Sequence, residues 1–198
     1  KQPATGVVDM MLAEDKKMLA AVQRERDRIA VGADMLAKAL SKGGRVIFVG
    51  AGTSGRLGVV EAAEMPPTFG TDPDLVQAIM AGGKTAILRA KEGAEDDYEE
   101  GARATKRLAP TKRDVVVGVS ASGMTPFVRG ALTCARGAGA RIIFVTCDPR
   151  SELQSFVDLT IAPAVGPEVI AGSTRLKAGT ATKIVLNTIE LRTSLLAS

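Results

Sequence analysis

The chain of 198 residues has no histidine and no tryptophan, and aromatic side chains make up only 3% of it. Without an imidazole, proton transfer near neutral pH falls to carboxylates, lysine, tyrosine, cysteine or water, and a Ser-His-Asp triad is excluded. So few aromatic rings also leave no stacking platform for nucleic-acid bases. We therefore expect no nucleic-acid partner.

Cysteines and long apolar runs are scarce as well. Cys134 and Cys147 are the only two cysteines and have no C-x-x-C spacing, so we expect reduced thiols, no disulfide framework and no metal site. No apolar stretch is long enough to cross a bilayer, and the first ten residues lack the apolar core of a signal peptide. These absences predict a cytoplasmic protein without a membrane partner.

The overall composition is that of a globular chain, with 45% hydrophobic and 24% charged residues. Its length fits one domain with a helical extension. The formal net charge of +4 mildly favours an anionic small ligand.

The first 40 residues predict a helical segment. From Val8 to Leu40 the pattern is typical of one long helix or two shorter ones, with Gly32 as a candidate break. One face of this segment carries apolar residues at multiples of seven or near it: Met11, Met18, Val22, Ile29 and Leu36. We expect that face to cover a sheet or a neighbouring subunit.

Residues 41–198 predict an α/β domain. Five apolar runs, separated by helix-length segments, span residues 45–52, 75–83, 114–123, 141–148 and 158–166. The runs are continuous rather than alternating, which indicates strands buried on both faces. The expected fold is a doubly wound, parallel five-stranded sheet in a three-layer, flavodoxin-like arrangement. A final helix is predicted from Ala178 to Ser198, with an apolar set of Ile184, Val185, Ile189 and Leu195.

A G-x-G-x-x-G motif follows the first run, formed by Gly50, Gly52 and Gly55. Such a turn between a strand and a helix N-terminus binds many phosphates, so the spacing alone does not identify the ligand. A dinucleotide fold places an acidic residue at the end of the second strand, where this chain has Ala81 followed by two glycines. The NAD interpretation is therefore disfavoured.

Hydroxyl groups follow two of the predicted strands, Thr53 and Ser54 in the glycine motif and Ser120, Ser122 and Thr125 in "SASGMT". Hydroxyls and free N–H groups at a helix N-terminus form a compact cradle for a phosphate. For either loop alone, ordinary N-capping explains the hydroxyls equally well. For both loops together we favour binding of a small polyol phosphate.

The S-x-S-G-x-T pattern of "SASGMT" is similar to the sugar isomerase (SIS) domain, and longer stretches resemble the N-acetylmuramic acid 6-phosphate etherase family. The resemblance runs from about Met11 to the C-terminus and is carried by four stretches: "GAGTSGRLGVVEAAEMPPTFG", "AGGKTAILRAKEGAEDD", "DVVVGVSASGMTPFV" and "VGPEVIAGSTRLKAGTATK". It implies a carbon-oxygen lyase of cell-wall sugar recycling, which releases D-lactate and N-acetylglucosamine 6-phosphate. It also implies that no metal or organic cofactor is used and that the site is completed across a homodimer.

The resemblance assigns the catalytic roles to Glu64, in "EAAEMPPT", and Glu95, in "EGAED". Glu64 would protonate the departing lactate oxygen, and Glu95 would take the sugar C2 proton or activate water. On the residues alone, Glu64 with Glu61 fits a solvated helix face, and the acids around Glu95 fit the first turn of a helix.

The resemblance also implies a set of residues that bind the substrate and its phosphate: Thr53, Ser54, Gly55, Ser120, Ser122, Gly123, Thr125, Ser173 and Lys177. Two departures stand out. Met124 occupies a position where the family usually has arginine, and the family's helical C-terminal region lies beyond Ser198.

Two other functions stay open at this point. The first is a non-catalytic phosphosugar-binding regulator resembling glucokinase regulatory protein, although such a sensor needs no paired acid and base. The second, less favoured, is an isomerase or an NAD enzyme.

Overall fold

The computed structural model describes residues 2–194 and contains one sheet of five short strands. These strands are β1 (Val46–Gly50), β2 (Val76–Met80), β3 (Val115–Val119), β4 (Arg141–Val145) and β5 (Leu159–Ile161). Each falls inside one of the five apolar runs, so the predicted strands are confirmed with shorter bounds.

Seven α-helices connect and cover these strands within the described residues. They are α1 (Ala4–Arg24), α2 (Arg26–Leu40), α3 (Gly52–Phe69), α4 (Thr85–Leu88), α5 (Tyr98–Arg107), α6 (Pro126–Gly137) and α7 (Lys177–Ser194). None of these helices is long and apolar enough to span a membrane.

All strand pairs are parallel, and the strand order is β2-β1-β3-β4-β5. From β1 the chain goes to one neighbour, β2, and then returns to the other side with β3. The loops after β1 and β3 therefore diverge to opposite faces, which opens a crevice at the carboxyl ends of these strands. This order confirms the predicted doubly wound, flavodoxin-like fold.

Two hydrophobic clusters lie on the two faces of the sheet. One joins the inward face of α1, α2 and α7 to strand residues such as Phe48 and Ile143, and the other packs α6 against residues such as Ile47 and Ile142. Because both faces are covered, β1 and β3 are buried along their whole length. That is the physical reason for their unbroken apolar sequences.

The N-terminal segment forms two helices, and the chain breaks at Glu25 rather than at Gly32. Glu25 is half-buried, and its carboxylate accepts a hydrogen bond of 3.0 Å from the backbone N–H of Ala162, just after β5. Gly32 lies buried inside α2, where an added Cβ would come within 3.2 Å of Ile161 and 3.3 Å of Ile189. The glycine therefore allows close packing and does not end the helix.

The apolar face predicted for this segment is confirmed for Met18, Val22, Ile29 and Leu36, which are all buried in the core. Met11, the first member of the predicted set, is only half-buried and is not part of that core. In the final helix, Val185 and Ile189 are fully buried and Ile184 packs against the same core. Leu195, the last member of the predicted set, lies outside the described residues.

Candidate functional site

The loop after β1 turns sharply into α3. Gly52 has φ +54°, and an ideal Cβ on Gly50 would lie 2.6 Å from the backbone nitrogen of Gly55. Only glycine tolerates that approach. The motif thus brings the first turn of α3, with Thr53 and Ser54, directly over the end of β1.

The loop after β3 makes a second tight turn, from Ser120 to Thr125. The backbone N–H of Gly123 donates to the carbonyl of Ser120, and the side-chain oxygens of Ser120 and Thr125 lie 2.6 Å apart. Thr125 is the N-cap residue of α6, yet its side chain makes no capping hydrogen bond. Ordinary N-capping therefore does not explain this hydroxyl.

Several backbone N–H groups of these turns have no acceptor within residues 2–194. They include those of Thr53 and Ser54 in the first turn and of Ser122 and Met124 in the second. Thr53 and Ser54 lie in the first turn of α3, where unbonded N–H groups carry partial positive charge and bind anions. Ser122 and Met124 lie in the turn just before α6, and successive N–H groups of such a turn also bind anions. The two turns are thus open to an anionic group.

The two turns share one cavity of about 320 Å³ above the ends of β1, β2 and β3. That volume falls in the lower range of small-molecule sites. It is lined by Ala51, Gly52, Thr53, Ser54, Arg56, Met80, Ala81, Ala86, Ala90, Lys91, Glu92, Ala94, Glu95, Ser120, Ala121, Ser122, Thr125 and Thr174. Five of the residues predicted to bind the substrate are in this lining, together with the predicted catalytic Glu95.

Glu95 reaches the cavity on the segment that follows β2, in a 3₁₀ turn from Ala94 to Asp96. The half-buried Arg56 of α3 donates from Nε to the carbonyl of Ile87 and from Nη2 to the carbonyl of Ala86, both at 2.8 Å. These bonds tie the segment to α3 beside the cavity. The sequence interpretation missed Arg56, because a lone arginine after a glycine motif carries no pattern of its own.

Glu64 lies elsewhere. It is an exposed residue of α3, 12 positions after Gly52, which is about 18 Å along a helix that rises 1.5 Å per residue. Glu64 is not part of the cavity lining. Within a single chain, then, the two glutamates do not meet.

Lys177 and Ser173 also lie outside the cavity lining, whereas the neighbouring Thr174 belongs to it. Lys177 is 1% exposed, and its Nζ lies 2.5 Å from a carboxylate oxygen of Glu14 in α1. Hydrogen bonds from Lys17 and Lys177 lower the pKa of Glu14 to about 2. This ion pair fastens α1 to the start of α7.

The N-terminus of α7 differs from those of α3 and α6 because a protein carboxylate already caps it. Both oxygens of Glu168 accept hydrogen bonds, from the N–H of Lys177 at 3.0 Å and of Ala178 at 2.9 Å. These two N–H groups at the start of α7 are therefore occupied by Glu168, whereas those of Thr53 and Ser54 at the start of α3 have no acceptor within residues 2–194.

A buried acidic pair joins α3 to α7. Glu61 is 4% exposed and Glu190 is 8% exposed, and Nζ of Lys183 lies 3.3 Å from Oε1 of Glu61. Burial, followed by the hydrogen bond and negative charge of Glu61, raises the pKa of Glu190 to about 9. The shift favours the protonated form of Glu190. On the residues alone, Glu61 and Glu64 fitted a solvated helix face; the structure excludes this alternative for Glu61, which is buried, whereas Glu64 is exposed.

Metal-binding clusters of three or more His, Cys, Asp or Glu side chains are absent from the described part of the chain. Cys147 is half-buried, and burial raises the pKa of its thiol to about 12. This cysteine stays protonated at neutral pH and is a poor nucleophile.

Comparisons with known proteins identify similar chains. The family model of the glucokinase regulatory protein N-terminal SIS domain matches residues 28–136. An N-acetylmuramic acid 6-phosphate etherase from Clostridium botulinum (strain Loch Maree / Type A3) is 51% identical over 181 residues, which are 91% of this chain and 60% of that protein. The chain thus spans about three fifths of the length of that curated relative.

Solved structures of similar fold include a phosphoheptose isomerase from Francisella tularensis. It has a TM-score of 0.69 at 16% identity and covers 96% of this chain and 100% of its own. The Vibrio vulnificus NanR protein complexed with ManNAc-6P has a TM-score of 0.60 at 20% identity. The match covers 95% of this chain and 62% of the NanR chain. These similarities show the fold alone.

Proposed function

Because the chain belongs to the sugar isomerase (SIS) domain family, we propose that its cavity binds a phosphorylated amino sugar and cleaves the lactyl ether of N-acetylmuramic acid 6-phosphate. The products would be N-acetylglucosamine 6-phosphate and D-lactate. The identity of about half to an N-acetylmuramic acid 6-phosphate etherase supports this choice of substrate. Two proteins of the same fold support the ligand class, since one is named a phosphoheptose isomerase and the other is complexed with ManNAc-6P.

The main support for the proposal is the pair of turns with unbonded N–H groups after β1 and β3, the two strands between which the strand order reverses. Thr53 and Ser54 on one side and Ser122 and Thr125 on the other line one cavity. Their hydroxyls and unbonded N–H groups match a phosphomonoester, which accepts several hydrogen bonds within a small volume. We assign the phosphate of the sugar to these turns.

The reaction needs an acid and a base but no change of oxidation state. A base removes the proton at C2 of the open-chain sugar, and the electron pair of the broken C2–H bond forms a C2–C3 double bond. The C3–O bond breaks, and the lactate oxygen takes a proton. Water then adds to C3 and a proton returns to C2, so ether and water give sugar and lactate. Positioned carboxylates perform such transfers in the absence of histidine.

Glu95 is our candidate for the group that takes the C2 proton or activates water, since it lines the cavity beside the turns. Glu64 is our candidate acid and would come from a neighbouring subunit, because about 18 Å of helix separates it from the turn of its own chain. This arrangement requires the predicted homodimer. The binding roles of Gly55, Gly123, Ser173 and Lys177, the cytoplasmic location and the division of roles between the glutamates stay predictions.

Release of D-lactate tests the proposal. Purified protein incubated with N-acetylmuramic acid 6-phosphate should release D-lactate and N-acetylglucosamine 6-phosphate in equal amounts. The unphosphorylated sugar is the matched control and should give at most a trace of lactate. Failure to release lactate from the phosphorylated substrate would contradict the proposed reaction.

A second candidate function is a non-catalytic phosphosugar-binding regulator. The match of residues 28–136 to the glucokinase regulatory protein domain and the position of Glu64 outside the cavity favour it. Binding of N-acetylglucosamine 6-phosphate together with ligand-dependent capture of a partner protein, and without product formation, would support the regulator over the lyase.

A further inference from the structure

Two carbonyl groups of the turn after β3 are held by another part of the chain. The carbonyl of Ala121 accepts a hydrogen bond of 3.1 Å from the N–H of Cys147, and that of Gly123 accepts one of 2.6 Å from the hydroxyl of Ser151. Both donors belong to the segment that follows β4. This segment therefore holds the turn from the side of the neighbouring strand.

Peptide geometry converts these bonds into an orientation of the N–H groups. A trans peptide is planar, so its C=O and N–H bonds point in opposite directions. The bond from Ser151 to the carbonyl of Gly123 therefore turns the N–H of Met124 away from Ser151. The bond from Cys147 does the same for the N–H of Ser122. Both N–H groups are among the unbonded donors of the turn.

Ser151 is buried and packs closely against Gly123. It is 6% exposed, and a Cβ added to Gly123 would lie 2.6 Å from the Cβ of Ser151. Gly123 has φ +74°, a conformation that glycine adopts and leaves at little cost. Without a partner for its carbonyl, the peptide between Gly123 and Met124 is free to rotate and to present its oxygen where it now presents N–H.

We propose that Ser151 is a positioning residue of the phosphate-binding turn. Its hydroxyl fixes the Gly123–Met124 peptide so that an N–H donor, and not a carbonyl oxygen, faces the ligand. Ser151 itself is absent from the cavity lining, as are Gly123 and Met124. Ser122 and Thr125, on either side of that peptide, do line the cavity, so Ser151 acts through the turn. The inference deepens the proposed function and rests on it, since it takes the phosphate of the sugar to be the group bound.

The test compares Ser151→Ala with Ser155→Ala. Ser155 lies in the same segment and also donates to a backbone carbonyl, that of Glu152 at 3.0 Å, but it is exposed and does not contact the turn. We expect Ser151→Ala to weaken binding of N-acetylglucosamine 6-phosphate about tenfold and Ser155→Ala less than about twofold. In turnover, Ser151→Ala should raise KM with little change in kcat, since it alters ground-state and transition-state binding of the phosphate equally.

Calorimetric titration with N-acetylglucosamine 6-phosphate, done well below the melting temperature, separates positioning from a general loss of stability. Equal affinities of Ser151→Ala and the wild type would overturn the positioning role. An equal loss in both alanine variants would overturn it too. A wild type that binds the sugar phosphate but releases no lactate would contradict only the proposed reaction, and a wild type that binds none would contradict both.

Discussion

The side-chain oxygens of Ser120 and Thr125 lie 2.6 Å apart, across the turn that joins β3 to α6. Ser120 is 2% exposed and directly follows β3, whereas Thr125 is half-buried and is the N-cap residue of α6. The bond closes the turn and keeps the Thr125 hydroxyl from capping its own helix. Thr125 thus links the end of β3 to the start of α6, and its hydroxyl is one of the groups that we expect to contact the phosphate.

Replacing Thr125 with valine should weaken binding of N-acetylglucosamine 6-phosphate by about tenfold or more, because the variant loses a donor to a charged group and leaves Ser120 unbonded. Isothermal titration measures the affinity. Thr133→Val is the matched control, since Thr133 donates only to the carbonyl of Arg129 on the exposed side of α6. Equal affinities of the two variants would contradict the assignment of this turn.

Replacing Glu95 with glutamine should lower kcat for lactate release by about 10²-fold or more, since general acid-base groups contribute factors of this size. The dissociation constant of the Glu95→Gln variant for N-acetylglucosamine 6-phosphate should stay within about twofold of the wild-type value, because the amide keeps the shape of the side chain. Glu99→Gln removes an exposed carboxylate outside the cavity and should leave kcat unchanged. A Glu95→Gln variant with wild-type kcat would remove Glu95 from the mechanism.

Glu64 and Glu95 should complement each other between subunits. Glu64→Gln and Glu95→Gln homodimers should each be nearly inactive. After mixing and exchange of subunits, half of the dimers are mixed, and each mixed dimer has one site with both carboxylates. We expect recovery of roughly a quarter of wild-type lactate release. Recovery of no activity from freely exchanging subunits would place both glutamates in the same chain or exclude one of them.

Replacing Glu190 with glutamine should stabilise the protein at alkaline pH. The folded pKa of Glu190 is raised to about 9 from 4.5, so between these values the folded state holds a proton that the unfolded state has lost. The contribution of Glu190 to the free energy of unfolding of the wild type therefore falls as the pH rises from 4.5 to about 9. Denaturant unfolding measures the free energy of unfolding of both proteins. The value for Glu190→Gln minus that for the wild type should grow between pH 5 and pH 8.5, by up to about 1.4 kcal/mol per pH unit.

Glu152→Gln is a suitable control, because Glu152 is exposed and lies far along the chain from the buried pair. The stability difference between this variant and the wild type should change little over the same range. A Glu190→Gln difference that is flat with pH would mean that Glu190 is ionised in the folded protein.

The sequence predicted the sheet and the hydroxyl-bearing turns because each leaves a local pattern. A strand buried on both faces, such as β3, reads as an unbroken apolar run. The turns with Thr53 and Ser122 follow such runs, and carboxyl ends of parallel strands meet at one edge of the sheet. Their convergence on one cavity followed from the strand order.

Contacts between distant segments leave no such pattern. The buried pair of Glu61 and Glu190 joins two helices far apart in sequence, and either glutamate alone fits a solvated helix face. Arg56 binds backbone carbonyls, which any sequence provides. The separation of Glu64 from the cavity depends on the length of α3, which continues through Pro66 and Pro67 to Phe69.

Titration of ¹⁵N-labelled protein with N-acetylglucosamine 6-phosphate shows whether the open turns after β1 and β3 bind the phosphate. The amide signals of Thr53, Ser54, Ser122 and Met124 should shift together, with one dissociation constant, and unphosphorylated N-acetylglucosamine should leave them nearly unchanged. Shifts confined to other parts of the chain, or equal shifts with the unphosphorylated sugar, would contradict the account.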